Sequence, residues 1–545
     1  MPYESQIVEP PYSEWSIELS QVSHAAIRDL REQARKRLVD AAEQYVIRLS
    51  QAATTAGLLS VDVPLLTGDP MSKPVIMTGH QPVVFHSGLA FKYQISEAFA
   101  IRNKLIAVAV VIDTDEGDAG TFQYPAAGTS PQNSAIHSSG IHRQYVTRTA
   151  SLAQRQGIFF ASHLKSGDEI RAEFSFVQHQ LLECGLPKAA KNAESIGRQY
   201  EALAQITADG FSTAEANLIT RWNAGIGGRM LELPLSAICS FPEYIRFIAA
   251  ILEKPFQFAV CYNQTLTAFR AEHRIRNEAN PFPNLTIEED WCELPLWGVN
   301  LAMGTRHVLQ VRRSSDGMSL ECNGGQLLFL EKGHVAEALT SLLFAGQLLV
   351  PRGALITATL RLLFSDLFVH GTGGGKYDPC TDALIQNWWN IEPTPFSVAS
   401  ASRYLLADER TRLMELRQIE SQLREMQYNP QRFLGTRIFS SSLEEQLTDL
   451  LRQKDNAVQQ MQLARETGVS AKAIGREIQQ MTDAIKTAVS QEFDLPLQAL
   501  RSLPDEHVAA VTSRTWPWFL FSEQLFVAAT AATGGSAERG FTVFE

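Results

Sequence analysis

Between Pro74 and Asp118 the chain reads PVIMTGHQPVVFHSGLAFKYQISEAFAIRNKLIAVAVVIDTDEGD, and its hydrophobic period switches from strand to helix and back. Val75 to Met77 is a short apolar run that stops at Thr78-Gly79-His80. Leu105 to Ile112 is a longer one, rich in valine and isoleucine, as a strand buried on both faces requires. Leu89 to Ile101, between them, has helical spacing. The segment predicts a βαβ unit, whose short crossover returns beside its starting strand with a right-handed connection. Adjacent parallel strands lie about 4.8 Å apart, and ligands of open α/β sheets bind beyond the carboxyl ends of the strands. His80, Gln81, His86 and Ser87 are therefore expected to face one crevice with Asp113, Asp115, Glu116 and Asp118.

The loop Gly79 to Leu89 has glycine near both ends, and the amides of Ser87, Gly88 and Leu89 would open a helix whose amino terminus attracts an anion. Gly79, Gln81, Ser87 and Gly88 are the expected phosphate or carboxylate seat, with His80 or His86 stabilising developing charge. His86-Ser87-Gly88 resembles the HxGH signature of nucleotidyltransferases and class I aminoacyl-tRNA synthetases, with Leu89 where the second histidine would stand. The plain structural alternative is a turn capped by His80 and His86. Asp113 to Asp118 puts four carboxylates after a buried strand, where a magnesium ion, an amine or a hydroxylated substrate could be held. Their bland alternative is a solvated turn with aspartate caps.

A third element, His370-Gly371-Thr372-Gly373-Gly374-Gly375-Lys376-Tyr377-Asp378, follows the apolar run Leu362 to Val369. Consecutive glycines beside a lysine give exposed amides and a mobile cation, suited to phosphate or carboxylate. The Walker A pattern is excluded, since His370 stands where it needs glycine and Tyr377 where it needs serine or threonine. Gly371, Gly373, Gly374, Gly375 and Lys376 join the cofactor-binding set, for which ATP or ADP is the candidate. Lys92, Asp113, Tyr377 and Asp378 are assigned to substrate contacts.

The 545 residues suffice for a large core and a further domain, and 45% hydrophobic with 20% charged residues is ordinary for a globular chain. A net charge of −11 speaks against a general nucleic-acid binder. The six cysteines form no CxxC pair, the first residues lack signal-peptide character, and no uncharged run reaches membrane-spanning length. A cytoplasmic location is expected.

Residues 1–59 are read as an amino-terminal helical segment, with one amphipathic helix over Ser23 to Ala56. Residues 60–400 are the α/β core, 404–500 a helical coiled-coil arm, and 501–545 a segment docking back on the core through Trp516 to Phe526. Within the core, Gly120 to Gly140 reads as an irregular surface loop suited to a lid, and Leu152 to Leu218 as mostly helical. Phe256 to Tyr262 reads as a buried strand followed by a helix, and Leu296 to Leu330 as a small antiparallel insertion. In the arm, apolar residues from Leu413 to Met426, Leu443 to Ala464 and Ile474 to Ala488 repeat at helical steps. They fit a dimerisation arm or a bundle packed on the core.

MTGHQPVVFHSGLAFKYQ, VVIDTDEGD and LFVHGTGGGKYD, in this order and followed by a helical arm, resemble the bacillithiol biosynthesis cysteine-adding enzyme family. Thr78-Gly79-His80-Gln81, Asp115-Glu116-Gly117-Asp118 and Gly373-Gly374-Gly375 occupy the places of that family's TGQQ-type, EDHDF-type and GGP-type motifs. Gly117 replaces the family's histidine, and Gly375-Lys376 its proline-bearing loop. The resemblance implies a Rossmann-like core related to nucleotidyltransferases, a dimerising coiled coil, and ligation of cysteine to a small amine. The function expected is amide-forming ligation or a related nucleotide-assisted transfer, with His80, His86, Asp115, Glu116 and Asp118 as catalytic candidates. The competing expectation is a non-catalytic nucleotide-binding or assembly protein that acts through its arm.

Overall fold

The structure, a computed structural model, describes residues 5–19, 25–55, 57–58, 65–128, 143–206, 211–277 and 279–521. The carboxyl-terminal part of the expected lid loop and the stretch Ala528 to Gly540 lie outside them. The fold is mixed α/β, built on a six-stranded sheet of β1 (Ser5–Glu9), β2 (Val75–His80), β3 (Ile106–Val111), β4 (Leu231–Pro234), β5 (Leu367–His370) and β6 (Phe396–Ser402). Its spatial order is β1-β6-β5-β2-β3-β4. β1 runs antiparallel to β6, and the remaining neighbours are parallel. Ser5–Glu9 thus closes one sheet edge as a strand, within the span read from the sequence as a helical segment.

That helix, α1 (Ala25–Thr55), buries Ala34 and Leu38 against one sheet face. It also carries the anchor of the sheet's amino end. Arg31 and Arg35 both donate to Asp366 at 2.8 Å, and the Val75 amide donates to the same carboxylate at 2.8 Å. The helix after β2, α2 (Ser87–Asn103), packs Phe91, Ile95 and Phe99 on the opposite face. The helix after β5, α3 (Thr372–Trp389), packs Leu384 and Ile385 on the α1 face. Strand order and helix side therefore both reverse between β2 and β5.

Two local expectations are corrected. Phe256 to Tyr262 is not a strand but the start of a helix, Pro255–Glu272. Pro255 suits its first turn, and Phe258, Tyr262, Leu266 and Phe269 recur at helical steps to bury one face while Val260 stays exposed. The segment after Gly120 is not irregular at its start, because Thr121–Ala127 pairs with Tyr145–Ser151 as an antiparallel ribbon. The antiparallel insertion itself comprises Trp291–Asn300, Thr305–Ser314, Gly317–Cys322 and Gly325–Leu330, and Gln347–Pro351 adds a strand to it.

The arm consists of α4 (Ala407–Tyr428), α5 (Ser441–Glu466) and α6 (Lys472–Arg501). Arg501 reaches Glu420 at 2.7 Å and Gln427 reaches Ser490 at 2.9 Å, so α4 and α6 are antiparallel. Leu413, Leu416, Leu447, Val489 and Phe493 join one core cluster at the base of the arm. Towards the α5–α6 turn that packing gives out, and Leu463 and Val469 are exposed. Among the described residues no helix is long and apolar enough to cross a membrane.

Candidate functional site

Strand register brings three of the predicted elements to one edge of the sheet. His80 is level with Val111, and the Ile112 amide donates to the His80 carbonyl at 3.0 Å. On the other side Val369 is level with Thr78, whose hydroxyl donates to the Val369 carbonyl at 2.8 Å. His80 and His370 therefore end neighbouring strands at the reversal between β2 and β5, the position where open α/β sheets accept ligands.

On the β2 side Lys92 and Ser87 are buried and His80 and His86 half-buried, with few partners. His80 Nδ1 lies 3.1 Å from the Gln81 carbonyl. Burial, then the Lys92 charge, push its imidazole down to about 3, so it is a neutral acceptor at pH 7. Lys92, on α2, donates to the Gly79 carbonyl at 2.8 Å. Burial lowers its ammonium to about 7, leaving it poised between amine and ammonium. His86 caps α2, its Nδ1 accepting from the Gly88 amide at 3.1 Å. Burial, Arg514 and Lys92 lower it to about 4. The amide expected to seat an anion is thus occupied by the protein's own imidazole. Ser87 Oγ is buried and has no hydrogen-bond partner among the described residues.

The two glycines of this loop allow close packing rather than ligand approach. A Cβ on Gly79 would lie 2.9 Å from the Val110 carbonyl oxygen, and one on Gly88 would lie 2.8 Å from Ser400 Oγ.

The acidic loop reaches the same edge, but Asp113, Asp115 and Asp118 diverge because they meet partners from different parts of the chain. Asp113 turns inward to the amide and hydroxyl of Ser236, and burial raises it to about 6 despite those bonds. Asp115 accepts from Gln81 Nε2 at 2.9 Å and from Arg306 Nη1 at 2.6 Å. Burial would raise it, but these two partners outweigh burial and hold it below the usual range. Glu116 lies 3.5 Å from Arg306, and Asp118 holds the Gly120 amide and the Ser151 hydroxyl. The expected joint grip on a metal or an amine is therefore not formed. Among the described residues no three His, Cys, Asp or Glu side chains are grouped to hold a metal ion.

The glycine element is also not a loose loop. Gly371 is the N-cap of α3 and has no side chain to cap that end, and the three glycines fall in its first turn. Gly375 N donates to the Gly371 carbonyl at 3.0 Å, which leaves the amides before it pointing beyond the helix end. A Cβ would meet nothing within 4 Å at Gly371 or Gly373, whereas at Gly374 it would lie 2.6 Å from His370 Nδ1. Gly375 lies against Val398 too closely for any side chain. Lys376 is exposed, its Nζ 5.9 Å from the Tyr377 ring.

The pair that sequence reasoning did not combine is His370 with Asp378. Two turns into α3, Asp378 is buried with Oδ2 2.9 Å from His370 Nε2, close but not in line for a strong hydrogen bond. Arg361 Nη1 donates to it at 2.6 Å. Burial would raise this carboxyl, but His370 and Arg361 hold it below the usual range. With the Asp378 carboxylate beside Nε2, the other ring nitrogen, Nδ1, lies beside the open first turn of α3. The signal for this was present, since Asp378 follows His370 by eight positions on a strand–helix junction. No protein-family model matches the chain, and no curated protein sequence matches it either.

Proposed function

We propose that the chain is a cytoplasmic enzyme with a Rossmann-like core. In this reading it is a ligase or transferase that joins an amino acid, cysteine in the resembled family, to a small amine-bearing metabolite. The observation that carries the reading is the junction of β5 and α3, where uncapped first-turn amides stand beside a histidine backed by a buried carboxylate. The amides of Thr372, Gly373 and Gly374 would seat a nucleotide phosphate or a substrate carboxylate. His370 would take the proton that an attacking amine must lose, and His80 would offer an uncharged acceptor across the strand boundary. The six free cysteines support a reducing compartment. The arm, whose tip carries exposed Leu463 and Val469, is proposed to join two copies of the chain.

The test uses Gly373→Asp. Space is open there, so the new carboxylate fits, and a carboxylate in a first turn favours the helix by about 0.3–1 kcal/mol while repelling phosphate. ADP or ATP should raise the melting temperature of the unaltered protein by mass action, and the variant should keep its own melting temperature yet lose the shift. An equal nucleotide shift in both proteins, or none in either, would remove the phosphate seat from this reading.

A further inference from the structure

A half-open cavity lies at the carboxyl ends of β3 and β4, two strands from the α3 amino terminus. It has a volume of about 390 Å³ and is lined by residues just beyond β3 and β4, the turn around Phe282 and one face of the antiparallel insertion. That volume is within the range of small-molecule pockets, roughly 300–1,000 Å³.

The insertion's register explains the polar wall. Trp297 is level with Val308 and Val350, and Arg306 with Val299, so Trp297, Arg306 and Arg352 fall on the same face. Both guanidinium groups lie against the Trp297 ring, at 4.7 and 4.9 Å from its centre. Each is already held on one side. Arg306 uses Nη1 and Nε towards Thr114, Asp115 and Glu116, and Arg352 uses Nε and Nη2 towards Glu293 and the Leu294 carbonyl. Arg306 Nη2 and Arg352 Nη1 have no hydrogen-bond partner among the described residues.

Thr114, Asp115 and Tyr262 also line the space, and the remainder of the wall is mostly carbon. Leu235, Phe282, Leu285, Val350 and Ile356 line the space, and Gly353 at its lip has φ +59 with Tyr262 and Phe282 too near for a side chain. Two fixed guanidinium edges facing an apolar body match a planar monoanion. A phosphate dianion fits poorly, because Asp115, Glu116 and Glu293 already supply negative charge around the same arginines.

We infer that this cavity is a binding site for a small monocarboxylic acid with an aryl or branched-alkyl body, its carboxylate held by Arg306 and Arg352 and its carbon body by Leu235, Phe282 and Ile356. The inference is independent of the nucleotide seat at α3.

The experiment is calorimetric titration with phenylacetate, benzoate and isovalerate, with phenylacetamide and phenyl phosphate as controls. At least one of the acids should bind, and the neutral and dianionic controls should bind at least about tenfold more weakly. Ile356→Trp, which adds bulk to the apolar wall, should abolish binding. Arg352→Lys, which keeps the charge and loses the fork, should weaken it by about tenfold. Should circular dichroism find Ile356→Trp unfolded, Arg352→Lys decides alone. Failure of all three acids at millimolar concentration, equal binding of the amide, or unchanged binding in the folded variants would overturn the site.

Discussion

At the amino end of the central sheet, Asp366 accepts from two arginines and a strand amide, and Arg31 extends the network to the carbonyls of Arg361, Leu362 and Ser365. At the carboxyl end, Lys92 has one hydrogen bond, and Ser87 Oγ has none among the described residues. Both ends bury charge or polarity, yet only the first gives each charge a partner. Burial without partners costs stability, and that cost is tolerated where a ligand can supply the missing contacts. The amino end ties α1, β2 and β5 together, while the carboxyl end keeps its donors and acceptors available.

Breaking the well-paired end should have the largest effect. Asp366→Ala leaves two buried guanidinium groups unpaired, and a loss of about 3–5 kcal/mol is expected in urea denaturation. A loss of under about 1 kcal/mol would erase the contrast between the two ends, because the network would then be no more than a contact.

The poorly paired end should respond in the opposite sense, through pH. Lys92 is held at about 7 in the folded chain against 10.5 as its ordinary value. Between those values the unfolded chain binds a proton that the folded chain does not, so stability rises with pH across that window, by at most about 1.4 kcal/mol per unit. Below pH 7 both states are protonated and the full penalty of the buried charge remains. Lys92→Met should remove this rise, so the stability difference between parent and variant, measured at pH 7 and pH 9, should change by roughly 2 kcal/mol. Parallel pH curves would mean that Lys92 keeps its charge in the folded state.

The smallest effect is expected at the arm tip, which belongs to neither end. Leu463→Glu alters a side chain that is 62% exposed, and unfolding stability should stay within about 0.5 kcal/mol. If the tip joins two copies, the sedimenting mass should halve; an unchanged mass would exclude the tip as the joint.

The contrast between the ends also marks where the sequence was readable. The βαβ unit, the helix expected over Ser23 to Ala56 and the antiparallel insertion follow from local runs and periods of apolar residues, since the strand Ile106–Val111 is buried on both faces as its unbroken apolar run implies. Phe256 to Tyr262 misled because a short apolar run fits either period, and the decision lay in Pro255 and in partners beyond the window. The fate of the acidic loop was not local at all. Ser236, Arg306 and Ser151 draw Asp113, Asp115 and Asp118 apart, and Arg306 arrives from an insertion far along the chain. His80, His86 and the glycine run were visible as chemistry, whereas the roles of Gly79, Gly88 and Gly375 as close-packing positions needed the neighbouring strands. Asp378 was visible as a residue, but its partnership with His370 required knowing that the glycines open a helix.

One contact near the rim bears on the order in which the protein can be made. Pro517 pairs with His86, and the Trp518 amide donates to the Phe85 carbonyl at 2.8 Å, so the loop between β2 and α2 is finished by residues that follow the whole arm. A ribosome that has released the sheet and all three arm helices has still not delivered the segment that covers that loop. During synthesis the amino end of the sheet can close as soon as Asp366 emerges, while the histidine edge stays open until the last described residues arrive. The nascent chain therefore acquires its scaffold before its histidine edge is complete.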